Sequence, residues 1–126
     1  MIWILVGTET GNSLDFAERC CDELYRCGRE SEVVLMDDLP LERFLEECET
    51  VLFICSTIGE GEEPLCMRKF SKFLLRADLP SDLLSFMRFA VFGLGDSSYE
   101  KFNFVGKRLW RRMQQLGAKP LIPFRG

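Results

Sequence analysis

The sequence predicts an α/β fold, a doubly wound parallel sheet of five strands in the order 2-1-3-4-5 with helices on both faces. Three observations predict it. Short apolar runs alternate with amphipathic stretches of helical period. The longest of these runs are apolar on both faces, as strands inside a parallel sheet must be. Polar, glycine-bearing loops follow the first, third and fourth runs.

Met1–Val6 is a continuous apolar strand. After the turn Gly7–Asn12, apolar residues recur at Ala17, Cys20, Cys21, Leu24 and Tyr25, one face of a helix, with Gly28 at the position of a C-terminal cap. Val33–Met36 is a short second strand and Thr50–Cys55 a third. Met67, Phe70, Phe73 and Leu74 make another stripe at helical spacing. Phe89–Phe92 is a fourth strand, leading into Gly93-Leu94-Gly95. Val105, Leu109, Met113 and Leu116 face one way on a long helix stopped by Gly117. Pro120–Pro123 closes with a weak fifth strand, where two prolines favour a sheet edge. Residues 1–126 thus form one domain, with no repeat, low-complexity stretch or linker.

In such sheets ligands bind beyond the carboxyl ends of the strands, where the strand order reverses between strands one and three. The unusual loops fall there. Thr8, Glu9, Thr10, Gly11, Asn12 and Ser13 join a buried strand to a helix N-terminus, whose unpaired N–H groups and dipole favour an anion. Hydroxyls and an amide add donors, no Lys or Arg is present, and Gly11 permits close backbone approach. Ordinary N-capping by Ser and Thr accounts for this loop, taken alone, equally well. The second loop, Ser56-Thr57-Ile58-Gly59-Glu60-Gly61-Glu62-Glu63-Pro64, is acidic and has two glycines within three residues. The third comprises Gly93, Leu94, Gly95, Asp96, Ser97, Ser98, Tyr99, Glu100, Lys101, Phe102 and Asn103. Tyr99 is suited to cover a flat ligand, whereas Phe102 reads better as a plug of the adjoining core.

Several chemistries are excluded. The chain has no His, so neither His-dependent acid–base catalysis nor Ser–His or Cys–His triads are available, and no catalytic side chain is expected. Six cysteines without a C-x-x-C pair offer no metal site, and their scatter points to mostly buried thiols in a reducing, cytoplasmic setting. No G-K-[ST] follows the first loop, and Gly93-x-Gly95 fails at Ser98 as a dinucleotide fingerprint, so an ATP or NAD site is not expected here. A net charge of −4 argues against nucleic acid. No apolar run approaches the roughly 18 residues that span a bilayer. The apolar opening lacks a basic flank and reads as a strand rather than a signal peptide.

Together the three loops resemble those of the FMN-binding, flavodoxin-like domain of diflavin reductases. T-E-T-G-N-S is similar to that family's phosphate loop, and S-T-I-G-E-G-E-E-P and G-L-G-D-S-S-Y-E-K-F-N are similar to its two ring-binding loops. The segments Phe73–Leu79, Pro80-Ser81 and Gly93–Leu109 most resemble the branch that supplies electrons to cytosolic iron–sulfur cluster assembly. P450 reductases and the sulfite reductase flavoprotein are more distant. The resemblance implies that Thr8 through Ser13 hold the FMN phosphate. It also implies that Ser56, Thr57, Ile58 and Gly59 run beside the flavin ring, and that Leu94 through Asn103 bind its other edge with Tyr99 stacked on one face. P450 reductases carry an aromatic where Ile58 stands, which implies a more aliphatic cover for that face. The family continues past the equivalent of Gly126 into another loop and a final helix, so the last helix of the fold is expected to lie outside this chain.

The resemblance further implies that FAD and NADPH bind a separate module of the same longer chain. This domain would then pass single electrons to an acceptor redox protein, such as an iron–sulfur assembly factor or a cytochrome. The carboxylates of the loops are expected to steer a positively charged docking surface, whereas Lys107, Arg108, Arg111 and Arg112 read as a solvated helix face. Two alternatives remain: a free-standing flavodoxin-type shuttle, and a non-redox binding module of the same fold. A phosphorylated receiver fits poorly, because Gly-Thr-Glu-Thr and Ser-Thr-Ile stand where its carboxylates belong.

Overall fold

The computed structural model describes residues 1–8, 12–56, 64–94 and 104–122. Five parallel strands form one sheet in the order β2-β1-β3-β4-β5. They are β1 Ile2–Gly7, β2 Ser31–Leu35, β3 Thr50–Ser56, β4 Arg88–Leu94 and β5 Lys119–Pro120. The helices are α1 Asn12–Arg26, α2 Leu41–Glu47, α3 Arg68–Leu74 and α4 Phe104–Gln115, with single 3₁₀ turns at Met36–Asp38 and Leu65–Met67. The doubly wound sheet and its order are those expected from the sequence. Right-handed crossovers set the layers: the connection from β1 to β2 runs opposite to the others, so its helix lies on the opposite face.

That division shows in two cores. Alternate residues Ile4, Val6 and Ile54 pack with Ala17, Cys20, Cys21 and Leu24 of α1. Their neighbours Trp3, Leu5, Val51, Phe53, Phe89 and Val91 pack under α2, α3 and α4. In the larger core Phe70 meets Phe44 edge-on at a centroid distance of 4.8 Å, and Phe53 lies 5.7 Å from Phe70. Each such side chain contributes on the order of 1.5–3 kcal/mol by leaving water.

Both long helices end as the glycines suggest. Gly28 has φ +80° and Gly117 φ +93°, conformations that other residues resist. The Gly28 N–H donates to Tyr25 O at 3.0 Å and the Arg29 N–H to Leu24 O at 2.8 Å. The pair repeats at α4, where Gly117 donates to Gln114 O and Ala118 to Met113 O. Each is a Schellman closure, which satisfies carbonyls the helix leaves open.

Five points of the sequence reading need correction. Tyr25 does not share the buried face of α1; it is 79% exposed, because it sits about 100° around the helix from Leu24. Met36 belongs not to β2 but to the 3₁₀ turn after it, while β2 begins earlier, at Ser31. Helix α2 has no counterpart in the sequence reading. Among the six cysteines only Cys48 and Cys55 are buried; Cys20, Cys21 and Cys66 are half-buried and Cys27 is exposed. The fifth strand is confined to Lys119–Pro120 at the sheet edge, and Pro123 lies outside the described residues.

Candidate functional site

Register brings the carboxyl ends of three strands into line. Gly7 pairs with Cys55, Cys55 with Gly93, and Ser56 with Leu94. The crossovers diverge between β1 and β3, so no helix or strand of the described residues crosses the sheet end there. Only residues 9–11 separate Thr8 from the start of α1 at Asn12, which sets the N-terminus of a 15-residue helix at this edge. Its first-turn N–H groups have no partner within the helix and carry partial positive charge.

The edge is braced by side chains. The Ser56 hydroxyl donates to the Gly7 carbonyl at 3.4 Å, tying β3 to β1. The Cys66 thiol engages both backbone groups of Thr8: its sulfur accepts the Thr8 N–H at 3.2 Å and its S–H donates to the Thr8 carbonyl at 3.2 Å. A thiol thus takes the place of a neighbouring strand where β1 runs out. Beside it, Met67 fills the space that a side chain on Gly7 would need; a Cβ there would stand 2.4 Å from the Met67 sulfur. The buried Cys55 lies under this edge, and burial pushes its thiol up to about 12, so it stays neutral.

Of the residues expected at the site, Thr8 and Ser56 sit at this edge, Leu94 ends β4 there, and Asn12 and Ser13 open α1. Glu9, Thr10 and Gly11 lie outside the described residues, as do Thr57, Ile58, Gly59 and the acidic stretch to residue 63. So do Gly95, Asp96, Ser97, Ser98, Tyr99, Glu100, Lys101, Phe102 and Asn103. Sequence reasoning missed Gly7, Cys66 and Met67. The contact from Cys66 to Thr8 spans 58 residues, and no local spacing announces it.

The architecture has many counterparts. The oxidised Flavodoxin 2 of Bacillus cereus matches with a TM-score of 0.82 at 25% identity, over 98% of this chain and 81% of that one. A mutant flavodoxin from Pseudomonas aeruginosa gives 0.81 at 26% identity, with the same coverage. In sequence the chain is similar to NADPH-dependent diflavin oxidoreductase 1 of Schizosaccharomyces pombe, at 50% identity over 94% of this chain and 20% of that protein. The Bos taurus protein of the same name is 44% identical over 95% of this chain and 20% of its own length. The chain therefore spans about a fifth of the length of these curated relatives. The flavodoxin family model matches residues 4–126. With the strand order, the matching solved structures and a family match that runs almost end to end, the chain belongs to the flavodoxin family.

Proposed function

We propose that this chain is the FMN-binding domain, residues 1–126, of a longer NADPH-dependent diflavin reductase, and that it relays single electrons. The observation that carries this reading is the braced carboxyl edge at the β1–β3 reversal. A loop of hydroxyl and amide donors there leads into a 15-residue helix. The neutral donor set fits a phosphate monoester, because N–H groups and hydroxyls bind its oxygens without a paired cation. FMN, when bound, would take electrons from a reduced flavin and release them one at a time.

In this reading the protein binds and orients, and no side chain acts as acid, base or nucleophile. Thr8 through Ser13 hold the phosphate. Ser56, Thr57, Ile58 and Gly59 line one edge of the ring, and Leu94 through Asn103 line the other, with Tyr99 over one face. FAD and NADPH occupy a separate module of the same chain. The acceptor is a redox protein, an iron–sulfur protein or a cytochrome, in the cytoplasm. Among the described residues no helix is long and apolar enough to cross a membrane. The 42–50% identity to diflavin oxidoreductases, against 24–27% to flavodoxins, favours this over a free-standing shuttle.

Titration with FMN and with riboflavin tests the reading. The chain should bind FMN far more tightly. Thr10→Ala and Ser13→Ala should weaken FMN much more than riboflavin, whereas Tyr99→Ala should weaken both about tenfold, given roughly 1 kcal/mol or more for stacking. Equal losses of the two ligands in the loop variants would remove the phosphate role.

A further inference from the structure

Charge is segregated along the chain. Residues 1–56 carry thirteen carboxylates against four arginines. Residues 57–126 carry twelve Lys or Arg against seven carboxylates, five of which, Glu60, Glu62, Glu63, Asp96 and Glu100, belong to the two loops after β3 and β4. The fold turns this division in sequence into one in space. Helix α1 packs on β1, β2 and β3, whereas α4 packs on β3, β4 and β5. A chain of net charge −4 therefore presents a basic flank beside its β5 edge.

That flank is not a plain solvated helix face. Leu75, Lys107, Arg108, Arg111, Arg112 and Gln115 line a groove of about 480 Å³, and among the described residues the lining includes no carboxylate. Arg112 fixes its floor. Its guanidinium donates to the Leu74 carbonyl, to Arg76 O at 2.7 Å and to Gln115 Oε1 at 3.2 Å, locking α4 to the end of α3. Leu75 is 46% exposed on the groove wall. Lys107 and Arg111 stand one turn apart, where like charges repel and weaken a helix. An anionic occupant would relieve that repulsion.

We propose that this α3–α4 groove docks an acidic segment of a separate protein partner. Carboxylates of the segment meet Lys107 and Arg111, and an apolar side chain meets Leu75. A protein segment fits better than nucleic acid, because the exposed leucine adds an apolar contact and the acidic half of the molecule would repel an extended polyanion. The proposal goes beyond the cofactor reading and stands independently of it, since the groove lies on the flank of the sheet and its described lining includes none of the residues assigned to FMN.

The test is fluorescence anisotropy of a labelled peptide of repeating Glu-Glu-Leu with the full chain, beside a Gln-Gln-Leu control. The acidic peptide should bind, more weakly as salt rises, and the control should not. The double variant Lys107→Glu/Arg111→Glu should weaken binding tenfold or more, and Leu75→Ser several-fold. Circular dichroism checks that each variant is folded, with Lys107→Gln/Arg111→Gln used in place of the reversal if α4 is disturbed. Peptide binding unchanged in the charge variants would overturn the proposal. So would single-stranded DNA binding more tightly than the peptide and indifferent to Leu75→Ser. Self-association abolished by the charge variants would assign the groove to a second copy of this chain, and would overturn it too.

Discussion

Cys66 holds Thr8 by both of its backbone groups, N–H and carbonyl, at 3.2 Å each. Thr8 is where β1 gives way to the first loop, and Cys66 sits just past the second loop, so one thiol couples the exit of one loop to the entry of the other. Cys66→Ala should leave the Thr8 backbone without these partners, cost on the order of 1 kcal/mol of stability, and weaken FMN binding several-fold. Cys66→Ser should retain most of both, since a hydroxyl donates and accepts in the same way. Urea unfolding and FMN titration measure the two effects. An alanine variant as stable and as tight as wild type would show that the thiol is a bystander.

Gly7 and Met67 meet so closely that neither position is independent. A methyl group on Gly7 would fall 2.4 Å from the Met67 sulfur and 3.0 Å from its Cγ, and Met67 is buried. Gly7→Ala should therefore destabilise by about 1–3 kcal/mol through overpacking. Met67→Ala alone should cost about 2–5 kcal/mol by leaving a cavity. The double variant should cost less than the two single costs together, because the new methyl enters the vacated space. Strict additivity would mean that the strain is relieved elsewhere.

Helix α3 lacks a capping side chain of its own and borrows one. Asp37, in the turn after β2, accepts the Phe70 N–H at 2.9 Å and the Lys69 N–H at 3.1 Å through its two carboxylate oxygens. This orients the helix that carries Phe70 into the aromatic cluster. Asp37→Ala should cost about 0.5–2 kcal/mol, the range of helix N-cap deletions, and Asp37→Asn less. Equal loss in the two variants, read by thermal unfolding, would point to charge rather than hydrogen bonding as the main effect.

The parts legible in the sequence are those written in a local period or a local conformation. The stripe Val105, Leu109, Met113 and Leu116 gives α4, and Gly28 and Gly117 give the ends of two helices. Two-sided apolar runs give β1, β3 and β4, and the reversal rule then locates the site edge from topology alone. Helix α2 escaped because only Phe44 of its seven residues is buried and Pro40 offers no capping side chain, so packing rather than pattern makes it a helix. Tyr25 misled because an aromatic next to a half-buried leucine reads as part of the stripe. Cys66, Met67 and Asp37 act across long separations in sequence, and such contacts exist only once the sheet has formed.

The buried thiols make stability fall at alkaline pH. Burial pushes Cys55 up to about 12; Cys48 also rises to about 12, by burial first and then by the neighbouring Glu47 charge. In the unfolded chain both ionise near the ordinary thiol value of about 8.5. Between that value and about 12 the unfolded state therefore binds fewer protons than the folded one, so the sign of the linkage makes stability fall as pH rises. The contribution is fully present below about pH 8.5, and each thiol subtracts up to about 1.4 kcal/mol per pH unit above it. Other groups also respond to alkaline pH, so the informative quantity is a difference between proteins. Urea unfolding of wild type and Cys55→Ala at about pH 8 and about pH 10.5 should show the variant losing less stability across the interval. At neutral pH the exposed Cys27 should alkylate readily, while Cys48 and Cys55 should react only after unfolding. Parallel losses in the two proteins, or prompt alkylation of Cys55 in the folded state, would show that this thiol is not held neutral by its burial.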